Sequence, residues 1–216
     1  MRMILDTESN GPEKWDEVWQ AAWQLTDNNF SPLSSDGGYL APTKRMKQKP
    51  QWITGLDRAT LLKLAEPAEG LYSRFLDAVR KSDVIIGHSI KTDVIRIVCD
   101  ADRRCSSALN AELRKQLCSL PMFDTAESTL PISKKRICRG DWRHGMSMFE
   151  SFPGYASLIE LADILNIERS DIKTHSADGD VELTRRCMIA LREQHPELLM
   201  KMEKGLFVPI DYPIIY

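Results

Sequence analysis

Asp6 and Glu8 stand two residues apart at the end of a short apolar run, Met3-Ile4-Leu5. Carboxylates at i and i+2 of a strand point to the same side, so the pair can share one cation. Magnesium and manganese favour such hard oxygen ligands. A second acid, Asp93, follows the apolar run Val84-Ile85-Ile86 and its glycine, Gly87. A third group, His175-Ser176-Ala177-Asp178-Gly179-Asp180, places a histidine five residues ahead of an aspartate. With His175 in a loop and Asp180 in the first turn of a helix, the imidazole would stand over a site that the aspartate ligates. Each piece also has an ordinary reading. The Asp6–Glu8 pair suits a solvated strand end, Asp93 a helix cap, and a lone histidine beside acids a structural role.

The elements that must carry these residues can be read coarsely. Met1 to Leu5 reads as a first strand that stops at an acidic loop from Asp6 to Gly11. Val18 to Leu25 reads as a second strand turning at Asn28-Asn29, and Tyr39 to Ala41 as a short third. Lys44 to Lys49 reads as a basic loop ended by Pro50. Leu61 to Lys81 has helical spacing, interrupted near Pro67 and Gly70. Val84 to Ile86 suits a buried strand, with a helix from Asp93, and Met122-Phe123 a brief strand before Asp124. Leu158 to Leu165 and Val181 to Arg192 read as helices. Pro131 to Pro153 is basic and rich in Gly and Pro, so a loop or insertion is expected. Strands alternating with helices indicate an α/β sheet covered on both faces.

The 216 residues suit one domain spanning 1–216, with the basic insertion at about 131–153. Their net charge of −2 excludes a polycation, so any contact with nucleic acid must be local or pass through metal ions. Five cysteines (Cys99, Cys105, Cys118, Cys138 and Cys187) form no C-x-x-C pair, which argues against a disulfide framework or a thiolate zinc site. The opening apolar run is too short for a signal peptide, and no stretch could span a bilayer. A soluble, intracellular protein is expected, cytoplasmic or nuclear.

Taken together, the three acidic pieces are similar in order and spacing to the DEDDh 3′→5′ exonucleases of the DnaQ-like superfamily, which has the RNase H-like fold. The family's strand followed by D-x-E resembles Ile4-Leu5-Asp6-Thr7-Glu8. Its strand followed by G-H-N and F-D resembles Ile85 to Asp93, although Ser89 replaces the usual Asn and Thr92 the usual Phe. Its H-x4-D followed by Thr resembles His175 to Asp180 with Thr184. Ile53-Thr54-Gly55-Leu56, Phe123-Asp124-Thr125 and the helix from Leu158 to Ile167 resemble connecting segments of the family. The likeness covers nearly the whole chain, except for 131–153.

The resemblance implies a mixed central sheet with helices on both faces and two Mg²⁺ or Mn²⁺ ions. It implies that Asp6 bridges them, Glu8 and Asp180 complete the nucleophile-side ion, and Asp93 holds the other partly through water. His175 is then the general base; free imidazole titrates near pH 6.5, which suits a base at neutral pH. The resemblance assigns 3′-end contacts to Thr7, Ser9, Asn10 and Gly11, with Ile53 and Leu56 stacking on the terminal base. His88 lies near the same site, where a structural role is the plainer one.

The expected substrate is the 3′ end of single-stranded or frayed nucleic acid, DNA being favoured over RNA. The rivals are an RNA-trimming exoribonuclease and a catalytically silent module bound to a polymerase or RNA complex. Two basic runs could follow a phosphate backbone: Lys44, Arg45, Lys47 and Lys49, and Lys134, Lys135, Arg136, Arg139 and Arg143 around Trp142. Either is equally readable as a solvated loop. The apolar tail Tyr212 to Tyr216 could dock a polymerase or other protein partner, or pack on its own domain.

Overall fold

The computed structural model describes residues 1–13, 15–139 and 150–203. Its centre is a five-stranded sheet in the order β3-β2-β1-β4-β5. The strands are β1 (Arg2–Ser9), β2 (Val18–Thr26), β3 (Pro32–Tyr39), β4 (Val84–Gly87) and β5 (Met122–Asp124). β2 pairs antiparallel with both β1 and β3, whereas β4 pairs parallel with β1 on one side and β5 on the other.

Alternation along β1 and β4 separates two cores. Met3, Leu5 and Ile85 face helices α3 (Ala68–Arg80), α4 (Ile90–Arg104) and α5 (Ser107–Ser119), where Tyr72, Phe75, Val94, Ile97 and Leu113 close the layer. After β5 and the short α6 (Thr125–Ser128), α7 (Leu158–Ile164), α8 (Ala177–Gln194) and α9 (Pro196–Glu203) cover Ile4, Val84 and Ile86. A small third cluster of Trp19, Met46, Leu56 and Leu61 holds α2 (Arg58–Leu64) and the chain on either side of α1 (Gln48–Thr54) beside β2. The mixed sheet with helices on both faces is the α/β, RNase H-like arrangement expected from the sequence.

Several elements differ from the sequence reading. β1 does not stop at Leu5 but continues to Ser9, because β2 supplies hydrogen-bonding partners as far as Ser9↔Val18. The third strand is Pro32–Tyr39 instead of 39–41; its exposed Ser-Ser-Asp-Gly-Gly composition is a poor strand signal, and pairing with β2 imposes the conformation. Pro50 lies within the first turns of α1, where a proline costs little, so it does not end the segment. α4 begins at Ile90, ahead of Asp93, and α8 begins at Ala177. The stretch read as a loop carries two antiparallel strands, β6 (Arg136–Arg139) and β7 (Glu150–Pro153). Arg143, Trp142 and the tail Tyr212 to Tyr216 lie outside the described residues.

Among the described residues no helix is long and apolar enough to cross a membrane. Cys99, Cys105, Cys118 and Cys187 are free thiols.

Candidate active site

β4 is short. Only Arg2, Met3 and Ile4 of β1 pair with it, so beyond Leu5 the strand β1 is flanked by β2 alone. Gly87 ends β4 in close contact with β1: a Cβ there would come within 2.8 Å of the Leu5 carbonyl oxygen. The space past Gly87 is taken by the start of α4, which brings Asp93 to the exposed flank of β1. Ser89, at the entry to α4, adopts φ 69°, and its N–H donates to Asp124 Oδ1 at 3.0 Å. That left-handed conformation is one asparagine adopts with little strain, so Ser89 carries out the turn with a less suited residue.

The third piece is delivered by α8. Ser176 caps the helix by accepting from the Gly179 N–H at 3.3 Å, and its hydroxyl donates to the Lys173 carbonyl at 2.8 Å. No other residue fits at position 179, where a Cβ would lie 2.0 Å from the Lys173 carbonyl oxygen. Gln20, opposite Glu8 in the β1–β2 ladder, fixes this helix end to the sheet. Its amide donates to Asp178 Oδ2 at 2.7 Å and accepts from the Ala177 N–H at 3.1 Å.

These elements converge on an open pocket of about 290 Å³ lined by Asp6, Thr7, Glu8, His88, Ser89, Thr92, Asp93, Arg96, His175 and Asp180. Asp6, Glu8 and Asp180 each offer a carboxylate oxygen within 4.8 Å of the others, a spacing suited to one cation. Asp93 stands beside this trio. It accepts from the Thr7 hydroxyl at 2.6 Å, so the middle residue of the first motif orients the acid of the second. The Arg96 guanidinium lies 3.8 Å from Asp93 and also donates to the Gly11 carbonyl at 3.1 Å.

The charges are poorly compensated. Burial, reinforced by Asp93, Asp180 and Glu8, holds the Asp6 carboxyl well above the usual carboxylate range. Burial and the same acidic neighbours push Glu8 up to about 7. Burial raises Asp93 to about 7 against the opposing Thr7 hydrogen bond and Arg96 charge. Asp180 is raised by burial and eased by the His175 N–H, which donates to its Oδ1 at 3.3 Å. Repelling carboxylates held this close fit divalent cations, which would relieve the repulsion.

The histidines differ. His175 is exposed at the rim, on a backbone with φ 59°. His88 is partly buried, with Nδ1 2.9 Å from the Thr125 hydroxyl and Nε2 2.9 Å from the Ala156 carbonyl. Burial lowers its pKa, and both ring nitrogens are engaged, so it braces the pocket wall.

Ser9, Asn10 and Gly11 do not line this pocket. The Ser9 hydroxyl donates to the Gly11 carbonyl, and Asn10 is buried against the backbone of Arg45 and Lys47. Leu56 is buried in the small third cluster, whereas Ile53 is 45% exposed. Of the two, Ile53 has apolar surface to offer a base.

Gln20 and Arg96 are functional neighbours that the sequence reading passed over. Each left a faint signal: an amide inside an apolar strand needs a buried partner, and a cation three residues after Asp93 shares its helix face.

The sheet order and the covering helices define an RNase H-like fold, with carboxylates lining the end of β1. No protein-family model matches the chain, and no curated protein matches it in sequence. Among solved structures it is similar to E. coli exonuclease I in complex with a dA16 oligonucleotide (16% identity, TM-score 0.70, 94% of this chain and 43% of that one). It is likewise similar to the zinc-bound complex of that enzyme with single-stranded DNA (17% identity, TM-score 0.69, 94% and 42%). The complex with dT13 gives 18% identity and a TM-score of 0.68 over 94% and 43%. The chain thus spans less than half the length of these structures.

Proposed function

We propose that this chain is a divalent-metal-dependent 3′→5′ exonuclease acting on single-stranded or frayed nucleic acid, with DNA favoured over RNA. The observation that carries this reading is the trio Asp6, Glu8 and Asp180, with oxygens within 4.8 Å and Asp93 and His175 in the same pocket. The preference for DNA is supported by the fold shared with exonuclease I, whose structures hold oligodeoxynucleotides.

Asp6, Glu8 and Asp180 would hold one ion, and Asp93 with Asp6 a second. Bound there, divalent ions supply charge neutralisation at phosphorus and activation of water at neutral pH. The chain's own residues do the rest. The Thr7 hydroxyl and Arg96 fix the orientation of Asp93. Gln20 holds the Asp180 helix against β1. His175, exposed at the rim, takes the proton of the attacking water at a ring nitrogen. The phosphorus–O3′ bond of the last linkage breaks, releasing one nucleotide and a strand shorter by one. His88, with both nitrogens engaged, takes no part in proton transfer.

The test is digestion of a 5′-labelled single-stranded oligonucleotide in Mg²⁺ or Mn²⁺, with matched DNA and RNA in parallel. Stepwise shortening by the wild type and none by Asp6→Ala is expected, with DNA shortened faster. Absence of shortening in the wild type, or equal shortening by the variant, overturns the reading.

A further inference from the structure

The most exposed tryptophan of the described residues lies on α1, outside the pocket lining. Trp52 is 78% exposed on α1, followed by Ile53 at 45%. The buried side of that helix is used by Thr54, with Pro50 and Gln51 half-buried, so Lys49, Trp52 and Ile53 share the outward face. Immediately before the helix run Lys44, Arg45 and Lys47, all exposed. Lys47 pairs with Asp16 at 2.8 Å, but Lys44, Arg45 and Lys49 form no ion pair among the described residues. The nearby acid Glu17 is already engaged: it accepts from the Thr43 hydroxyl and the Lys44 N–H, and pairs with Arg104.

This basic, aromatic segment is tied to the site. Asn10, two residues past Glu8, donates to the Arg45 carbonyl at 3.1 Å and accepts from the Lys47 N–H at 2.8 Å. At about 3.3 Å per residue along a strand, the segment starts on the order of 10 Å from the carboxylates. The Lys44 carbonyl is further held by the Arg58 guanidinium at 3.3 Å.

An exposed indole beside cations offers a face on which an unpaired base can stack, and cations without acidic partners attract polyanions. Bases have apolar faces and a charged backbone, so a single strand matches both halves of this patch. We propose that Trp52, with Lys44, Arg45 and Lys49, forms a platform for the single strand upstream of its 3′ terminus. Trp52 stacks on a base while the three cations follow the phosphates. The platform rests on the exonuclease reading, because that reading places the 3′ end in the adjacent pocket. It makes chain length count: a strand of ten nucleotides reaches the platform, and a dinucleotide held in the pocket does not.

The test uses the full chain in Mg²⁺ with fluorescein-labelled, phosphorothioate-linked oligothymidylates. The expected result is that Trp52→Ala reduces the affinity advantage of a decamer over a dimer by about 5- to 150-fold, the range for losing one stacked base. Trp52→Phe should restore most of it, and unchanged thermal unfolding would show that both variants fold. Joint substitution of Lys44, Arg45 and Lys49 by Ala should lower the slope of log affinity against log salt by about 2, at roughly 0.7 per cation. Equal decamer-to-dimer ratios and salt slopes in all variants overturn the platform. So does a wild-type dimer that dissociates in Trp52→Ala with strand binding unaltered, which would assign the patch to a second copy. Binding is read without turnover, so a chain that shortens no oligonucleotide still reports on the platform, and a failed platform leaves the Asp6→Ala result standing.

Discussion

Replacing Glu8 by Gln should make the metal-free protein more stable, and only at neutral to alkaline pH. Burial beside Asp180 and Asp93 raises Glu8 from 4.5 to about 7. That shift of roughly 2.5 units corresponds to roughly 3.4 kcal/mol at about 1.36 kcal/mol per unit. Because Glu8 is partly exposed, solvent screening reduces the usable figure to about 1–2 kcal/mol. The sign follows from proton binding. The folded state holds this proton more tightly than the unfolded chain, so the group's contribution is fully present below about 4.5. It is lost as pH rises through about 7. Glutamine never ionises and escapes that loss. Urea unfolding in a chelator should therefore give matching stabilities for wild type and Glu8→Gln near pH 4.5, and a gain of about 1–2 kcal/mol for the variant near pH 8, with equal m-values. Millimolar Mg²⁺ should erase the gain, because the ion stabilises only the form that keeps its ligands. A gain that is the same at both pH values, or a loss at each, would refute the account of the carboxylate cluster.

The same geometry sets three further outcomes. Nucleolytic activity should climb between about pH 6 and 8, as Glu8 and Asp93 lose the protons that burial retains near 7. A flat profile from about pH 6 to 9 would count against those raised carboxylates, and His175→Ala should lower the rate by about 10²- to 10⁴-fold. Gln20→Leu should cost about 1–3 kcal/mol by stranding the Ala177 N–H. It should also weaken Mg²⁺ binding, measured by calorimetry, because Asp180 rides on the helix that Gln20 anchors; unchanged metal affinity would show that the helix end is held by other means.

The residues that bear charge were legible in the sequence through their joint order and spacing, since each piece alone has an ordinary reading. Their number made the joint pattern specific, and the pocket brings all five together. What holds them was less visible. β1 reads as ending at Leu5 because Asp6-Thr7-Glu8 breaks the apolar run, yet those same residues complete its pairing with β2. β3 has too many Ser, Asp and Gly residues to signal a strand, and only its neighbour makes it one. α5 buries little beyond Asn110, Leu113 and Leu117, which leaves no clear helical stripe to read. The roles of Gln20 and Arg96 depend on which strand and helix lie opposite, information that sequence spacing does not contain.

The ladder between β1 and β2 shifts register between Glu8 and Ser9, just beyond the last carboxylate. Up to that point the side chains alternate strictly, so Thr7 faces one core while Asp6 and Glu8 face the other way. A single residue inserted or deleted before Glu8 would exchange these faces and turn the acids into the layer that holds Phe75 and Val94. Past the irregularity that constraint lapses, because nothing downstream must keep phase with the acids. Length changes during evolution should thus be forbidden over the first eight residues. The short interval between Asp6 and Glu8 is a frame that the rest of the chain has to respect.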